Sequence, residues 1–171
     1  MKNIGSMESL KYAAVVAAAL ALGACAKNPA DLSAVDGRGG AGVAAAGATP
    51  GSQQDFAVNV GDRVFFDSDT SELTATAQAT LDKQATWLNR YPNYAFTVEG
   101  HADERGTREY NFALGARRAE ATKNYLVSRG VAASRIKTIS YGKERPVAVC
   151  DDISCWSQNR RAVTVLKGGQ S

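Results

Sequence analysis

Histidine is almost missing from this chain: His101 is the single one among 171 residues, beside three cysteines and two tryptophans. One histidine and scattered thiols do not assemble the ligand set of a structural or hydrolytic zinc, so no metal and no cofactor is expected. An excess of one charge is lacking as well. The 20 Lys and Arg are set against 17 Asp and Glu, with both signs interspersed, and no basic stripe calls for nucleic acid. The uncharged apolar run from Tyr12 to Leu22 falls short of the about 20 residues that a membrane-crossing helix needs. Internal repeats, a nucleophile elbow and a Walker lysine behind Gly100 and Gly106 are all wanting. Glu99, Asp103 and Glu104 flank one turn, and Arg105 stands beside Glu104; this is not the separated acid and base pair of a glycosidase. The chain is expected not to be an enzyme.

What is present begins with Lys2 and Lys11 ahead of that apolar run, followed by Leu22-Gly23-Ala24-Cys25. This pattern reads as a cleaved export signal over 1–24, and the small residues before Cys25 resemble a bacterial lipoprotein signal. The resemblance implies lipidation of Cys25 and a protein anchored to a membrane without spanning it, since more than one acyl chain holds firmly. Ala26 is not the aspartate of inner-membrane retention, which points to the outer membrane with the domain in the periplasm. Cys25 to Gln54 is Ala, Gly, Ser, Asp and Pro with little to bury, and it reads as a flexible tether of about 30 Å as a coil. Asp55 to Lys167 has the length of one domain, and 168–171 form a tail.

Phe56, Val58, Val60, Val64 and Phe66 alternate as in a half-buried strand, with an interruption near Gly61-Asp62. Leu73, Ala77, Leu81, Ala85 and Leu88 recur at helical spacing up to Tyr91-Pro92. Strands follow over 95–99, 135–141 and 161–166, with a helix from Thr107 to Ser128 closed by Arg129-Gly130. The alternation predicts an α+β fold, a two-layer α/β sandwich with helices packed on one face of a mixed four-stranded sheet. Gly142 to Asn159 is expected to be a long polar connection. It carries Cys150 and Cys155, for which a disulfide suits an oxidising compartment; two free thiols or a metal pair are the alternatives.

Arg118 falls inside the apolar arc that Leu114, Gly115, Ala119, Tyr125 and Leu126 form on its helix. A guanidinium there is costly unless paired. Asp103, in the loop feeding the same helix, is the candidate partner. Two arrangements fit: a plain Asp103–Arg118 salt bridge that pins the loop, or a clasp in which Arg118 takes the carboxylate and Asp103 the ammonium of a small zwitterion.

Glu99-Gly100-His101-Ala102-Asp103, Gly106-Thr107, Asn111-Phe112-Ala113-Leu114, Arg117-Arg118-Ala119 and Asn159-Arg160-Arg161 resemble the OmpA-like peptidoglycan-binding domain. Ala102-Asp103-Glu104-Arg105-Gly106-Thr107 and Tyr141-Gly142-Lys143-Glu144-Arg145-Pro146 are similar to the wording of its lipoprotein branch. The resemblance covers Phe66 to Leu166. It implies that Asp103 and Arg118 bind the free amino-acid end of meso-diaminopimelate in a peptidoglycan stem peptide, with Phe66, Asp67, Asn111, Leu114 and Arg161 lining the site. Asp67 and Asp69 both compete for the aspartate position. The lipoprotein branch further implies TolB, TolA and OmpA-like proteins as partners, and a role in envelope integrity and cell division. The alternatives are a wall-binding lipoprotein without Tol partners and a pure protein-interaction module.

Overall fold

The computed structural model describes residues 48–168. The expected signal peptide, Cys25, most of the tether and the tail beyond Gly168 lie outside the described residues. Within them, contacts reach back beyond Asp55: the Tyr94 hydroxyl donates to the Gly51 carbonyl at 2.7 Å.

The first element is a correction. Phe56 to Gly61 is not strand but helix: a short α-turn, α1 (Gln53–Asp55), runs on as a π-helix over Phe56–Gly61. Ser52 caps it by accepting from the Asp55 N–H. The Asp55 carboxylate in turn accepts from the Gly51 N–H and from the Trp87 indole, each at 2.8 Å. Phe56 is buried on the Trp87 ring while Val58 stays exposed, so the apolar spacing of two conceals a face of four. Only Arg63–Phe65 forms β1.

Then follow α2 (Ala75–Arg90), β2 (Ala95–His101), α3 (Arg108–Ser128), β3 (Ile136–Gly142), α4 (Ile153–Asn159) and β4 (Arg161–Lys167). The α4 helix breaks the connection expected between Gly142 and Asn159; Asp152 caps it by accepting from the Ser154 N–H at 2.7 Å. The sheet order is β1-β4-β2-β3, with β2 and β3 parallel and the other pairs antiparallel. The four-stranded mixed sheet and its helices make the expected α+β fold.

Leu81, Leu88, Phe96, Val98, Leu126 and Ala162 share one buried core between α2, α3 and a single sheet face, each large side chain contributing about 1.5–3 kcal/mol. Buried Gln84 has a partner at each end of its amide, donating to the Gly61 carbonyl and accepting from Thr164. Arg135 ties off the end of α2 by donating to the carbonyls of Leu88, Tyr91 and Tyr94. Cys150 and Cys155 are joined in a disulfide that closes the turn into α4.

Candidate functional site

The site grows from the end of β2. A bulge between Gly100 and His101 shifts the pairing with β3, and the Ala102 N–H donates to the Gly142 carbonyl at 2.8 Å, which releases the loop from Ala102 to Thr107. Gly106, at φ 86°, makes the turn that other residues resist. Thr107 then caps α3 by accepting from the Tyr110 N–H. The loop is braced from both sides: Asn111 donates to the Arg105 carbonyl at 2.7 Å, and Lys143 to the carbonyls of Glu104 and Gly106.

Arg118 is fully buried beneath this loop. Its Nε donates to the Thr70 carbonyl at 2.8 Å, its Nη1 to the His101 carbonyl at 2.8 Å and its Nη2 to the Asp67 carbonyl at 3.0 Å. The guanidinium also lies 5.2 Å from the Phe66 ring. Burial lowers its pKa to about 10, and the negative charge of nearby Asp103 opposes the drop. The plain Asp103–Arg118 salt bridge is therefore not what the fold builds. Arg118 instead stitches the loop after β1 to the end of β2, and three of its five N–H donors are spent on backbone.

Asp103 has other partners. Its carboxylate accepts from the Arg105 side chain, Nη2 at 2.7 Å and Nε at 3.2 Å, and from the Arg105 backbone at 3.2 Å. Arg160 reaches it from the core side at 3.4 Å while donating to the Phe66 carbonyl at 3.0 Å. Burial pushes the Asp103 carboxyl upward, yet the hydrogen bonds and charge of Arg105, with a hydrogen bond from Arg160, outweigh it and hold the pKa below its ordinary value. Asp103 is ionised in the folded protein at neutral pH.

A cavity of about 230 Å³ opens over this carboxylate, walled by Asp69, Asp103, Arg105, Tyr110, Asn111 and Leu114. Asp69 is the one non-glycine described residue at positive φ, 59°, a conformation that tends to be retained where a side chain must be aimed. Its carboxylate accepts from the Tyr110 hydroxyl. Two carboxylates, Asp69 and Asp103, thus line the cavity, and the buried Arg118 guanidinium is near enough to feel the charge of both. A larger hollow of about 540 Å³ lies beside Arg108, Phe112 and Tyr141, but no buried charge converges on it. Among the described residues no group of His, Cys, Asp and Glu could hold a metal, and no helix is long and apolar enough to cross a membrane.

Of the residues expected at a ligand site, Asp103, Asn111 and Leu114 line this cavity. Phe66 and Asp67 are not among its lining residues: the Phe66 ring lies 5.2 Å from the Arg118 guanidinium and Asp67 gives it a carbonyl; of the two aspartates left open, Asp69 is the one that lines the cavity. Arg161 is not in the cavity. Its neighbour Ala162 faces the helices with Val64, so alternation puts Arg161 on the other sheet face, where it donates to the carbonyls of Asn159 and Arg145. The preceding residue, Arg160, makes the Asp103 contact. Sequence reasoning missed Arg160, Arg105 and Tyr110, and left Asp69 open beside Asp67. Two adjacent arginines in Asn159-Arg160-Arg161 were the available signal for the first, with only strand parity to choose between them.

Residues 65–160 match the OmpA family. A peptidoglycan-associated lipoprotein from Agrobacterium fabrum is 71% identical over 152 residues, covering 88% of this chain and 84% of that protein. One from Mesorhizobium japonicum is 61% identical over 172 residues and covers both chains in full. The crystal structure of the peptidoglycan-associated lipoprotein from Burkholderia pseudomallei superposes with a TM-score of 0.60 at 42% identity, covering 62% of this chain and 90% of that one. The C-terminal domain of Helicobacter pylori MotB, at 20% identity and a TM-score of 0.60, shares the fold. With the sheet order, the Asp103 loop and these likenesses together, the chain belongs to the OmpA family, among its peptidoglycan-associated lipoproteins.

Proposed function

We propose that this protein is a non-catalytic tether between the outer membrane and peptidoglycan. The observation that carries the reading is the ionised, nearly buried Asp103 carboxylate at the base of an open cavity. In this reading Asp103 takes the ammonium of a meso-diaminopimelate end, with Asp69 as a second anionic wall. The ligand carboxylate is drawn by the charge of Arg118, which acts on Asp103 and keeps two N–H donors uncommitted. The names of the relatives, lipoproteins associated with peptidoglycan, support the same assignment.

Charge-assisted contacts of this kind contribute about 1.5–3 kcal/mol each, much of which association costs offset. One stem peptide therefore binds modestly. Lipidation at Cys25 confines the domain of residues 55–167 near a mesh that offers many such ends, so the link persists through effective concentration while staying reversible. Tol partners, TolB and TolA among them, and a part in envelope integrity and division follow from the same kinship.

The test is binding of the protein to purified diaminopimelate-containing sacculi. A folded Asp103→Ala variant is expected to lose sedimentation with the wall; undiminished binding would sink the assignment. Co-purification with TolB separates a Tol-linked tether from a wall anchor alone, and retention of a Cys25→Ser variant in membranes would exclude the lipid anchor.

A further inference from the structure

The cation already seated on Asp103 is Arg105, and its setting differs from that of every other partner of the site. Arg160 approaches the same carboxylate from within the core, with both side chains less than one tenth exposed, whereas the Arg105 side chain is 44% exposed. Arg105 covers the outer side of the carboxylate, adds a hydrogen bond from Nη2 to the Ser68 hydroxyl at 2.8 Å, and lies 4.2 Å above the Trp156 ring. The indole is held in turn by donation to the Glu104 carboxylate and stands on α4, which the Cys150–Cys155 bridge closes. The guanidinium thus occupies the place where a ligand ammonium would meet Asp103. A carboxylate with about four acceptor sites, already taking two cations and a backbone N–H, has no room for a third cation on that side.

Resting on the reading of Asp103 as an ammonium site, we propose that Arg105 is a built-in stand-in for the ligand's ammonium, which leaves Asp103 when the ligand enters. The pair whose cation is open to solvent is the exchangeable one, since solvent competes for that guanidinium, while Arg160 remains as the fixed counter-charge. The Trp156 face is the second half of the arrangement. It fixes the seated guanidinium by cation–π attraction and so sets how readily the site is vacated. Arg105 and Trp156 therefore tune affinity downward, in contrast to Asp103, which supplies it.

The experiment is calorimetric titration of the full-length protein in detergent with a purified diaminopimelate-containing muropeptide. Wild type, Asp103→Ala, Arg105→Ala and Arg105→Gln are compared, with folding of each checked by thermal melting. Removing the stand-in is expected to tighten binding about five- to tenfold in both Arg105 variants. In the wild type, ligand addition is expected to change Trp156 emission as the guanidinium leaves the indole, a change absent from Arg105→Ala and from Trp156→Phe. Equal or weaker binding by folded Arg105 variants, with Asp103 still required, overturns the stand-in and leaves the ammonium site intact. Binding by wild type that survives Asp103→Ala, or no binding by wild type, overturns both.

Discussion

Gly100 on β2 and Gly115 on α3 meet backbone to backbone: a Cβ on Gly100 would stand 1.8 Å from the Gly115 carbonyl oxygen, and one on Gly115 would stand 2.4 Å from the Ser140 hydroxyl. This contact lets α3 lie flat on the sheet at the level of the site, so that Arg118, three residues further along, reaches the His101 carbonyl. Gly100→Ala is expected to cost about 3 kcal/mol or to prevent folding, because the clash is with backbone and no rotamer relieves it. Chemical denaturation measures it; a loss under 1 kcal/mol would contradict the close approach.

Arg118 predicts a split between two substitutions. Arg118→Ala strands the buried His101 carbonyl and the partly buried carbonyls of Thr70 and Asp67 and is expected to lose about 3–5 kcal/mol, which would confound any binding assay by unfolding. Arg118→Lys retains the charge and one or two of the donors, and is expected to fold at a lower melting temperature. If Arg118→Ala melts like the wild type, the stitching described above is wrong.

His101 gives a pH dependence. Its ring nitrogens find no hydrogen-bond partner, and the Glu99 carboxylate stands 3.8 Å from Nε2. Burial, then the charges of Arg161 and Arg145, lower its pKa from 6.5 to about 4. Since the unfolded state binds the proton first on acidification, stability from this group is complete above pH 6.5 and is lost as the pH falls toward 4. The slope approaches about 1.4 kcal/mol per pH unit and the total about 3 kcal/mol. Asp55 and Asp103, whose pKa values are lowered, add their losses only below the ordinary carboxylate range. Urea melts between pH 4 and 7 are expected to flatten in His101→Gln; an unchanged slope there assigns the effect to another group.

Reduction of the Cys150–Cys155 bridge is expected to lower stability by no more than about 2 kcal/mol, because the closed loop is small. The larger effect is expected at Trp156, whose emission reports the loosening of α4. A loss of the global fold on reduction would show that the bridge holds more than this turn.

Much of the architecture was legible because helix and strand periods repeat over enough residues, as in Leu81, Ala85 and Leu88 or Val98 and Gly100. The segment after Asp55 was not, since Phe56, Val58 and Val60 satisfy a strand pattern as well as a helical one. What decides it is Trp87, 31 residues beyond Phe56 and in contact with it, a tertiary fact. The sequence did show that Arg118 is buried and needs partners. Those partners are backbone carbonyls of Asp67, Thr70 and His101, which carry no residue identity to read. At Arg160 and Arg161 a single step along the chain selects the sheet face, and composition cannot make that choice.

The sheet is joined between its ends: among the described residues β1 pairs only with β4, Val64 against Ala162. A chain that emerges N-terminus first, from a ribosome or through a channel, therefore holds β1 without this partner until β4 arrives. Closure depends on pairings nearly a hundred residues apart, the kind that form slowly. The edge strand therefore locks late, and Asp103 meets Arg160 only once the chain has run as far as the start of β4.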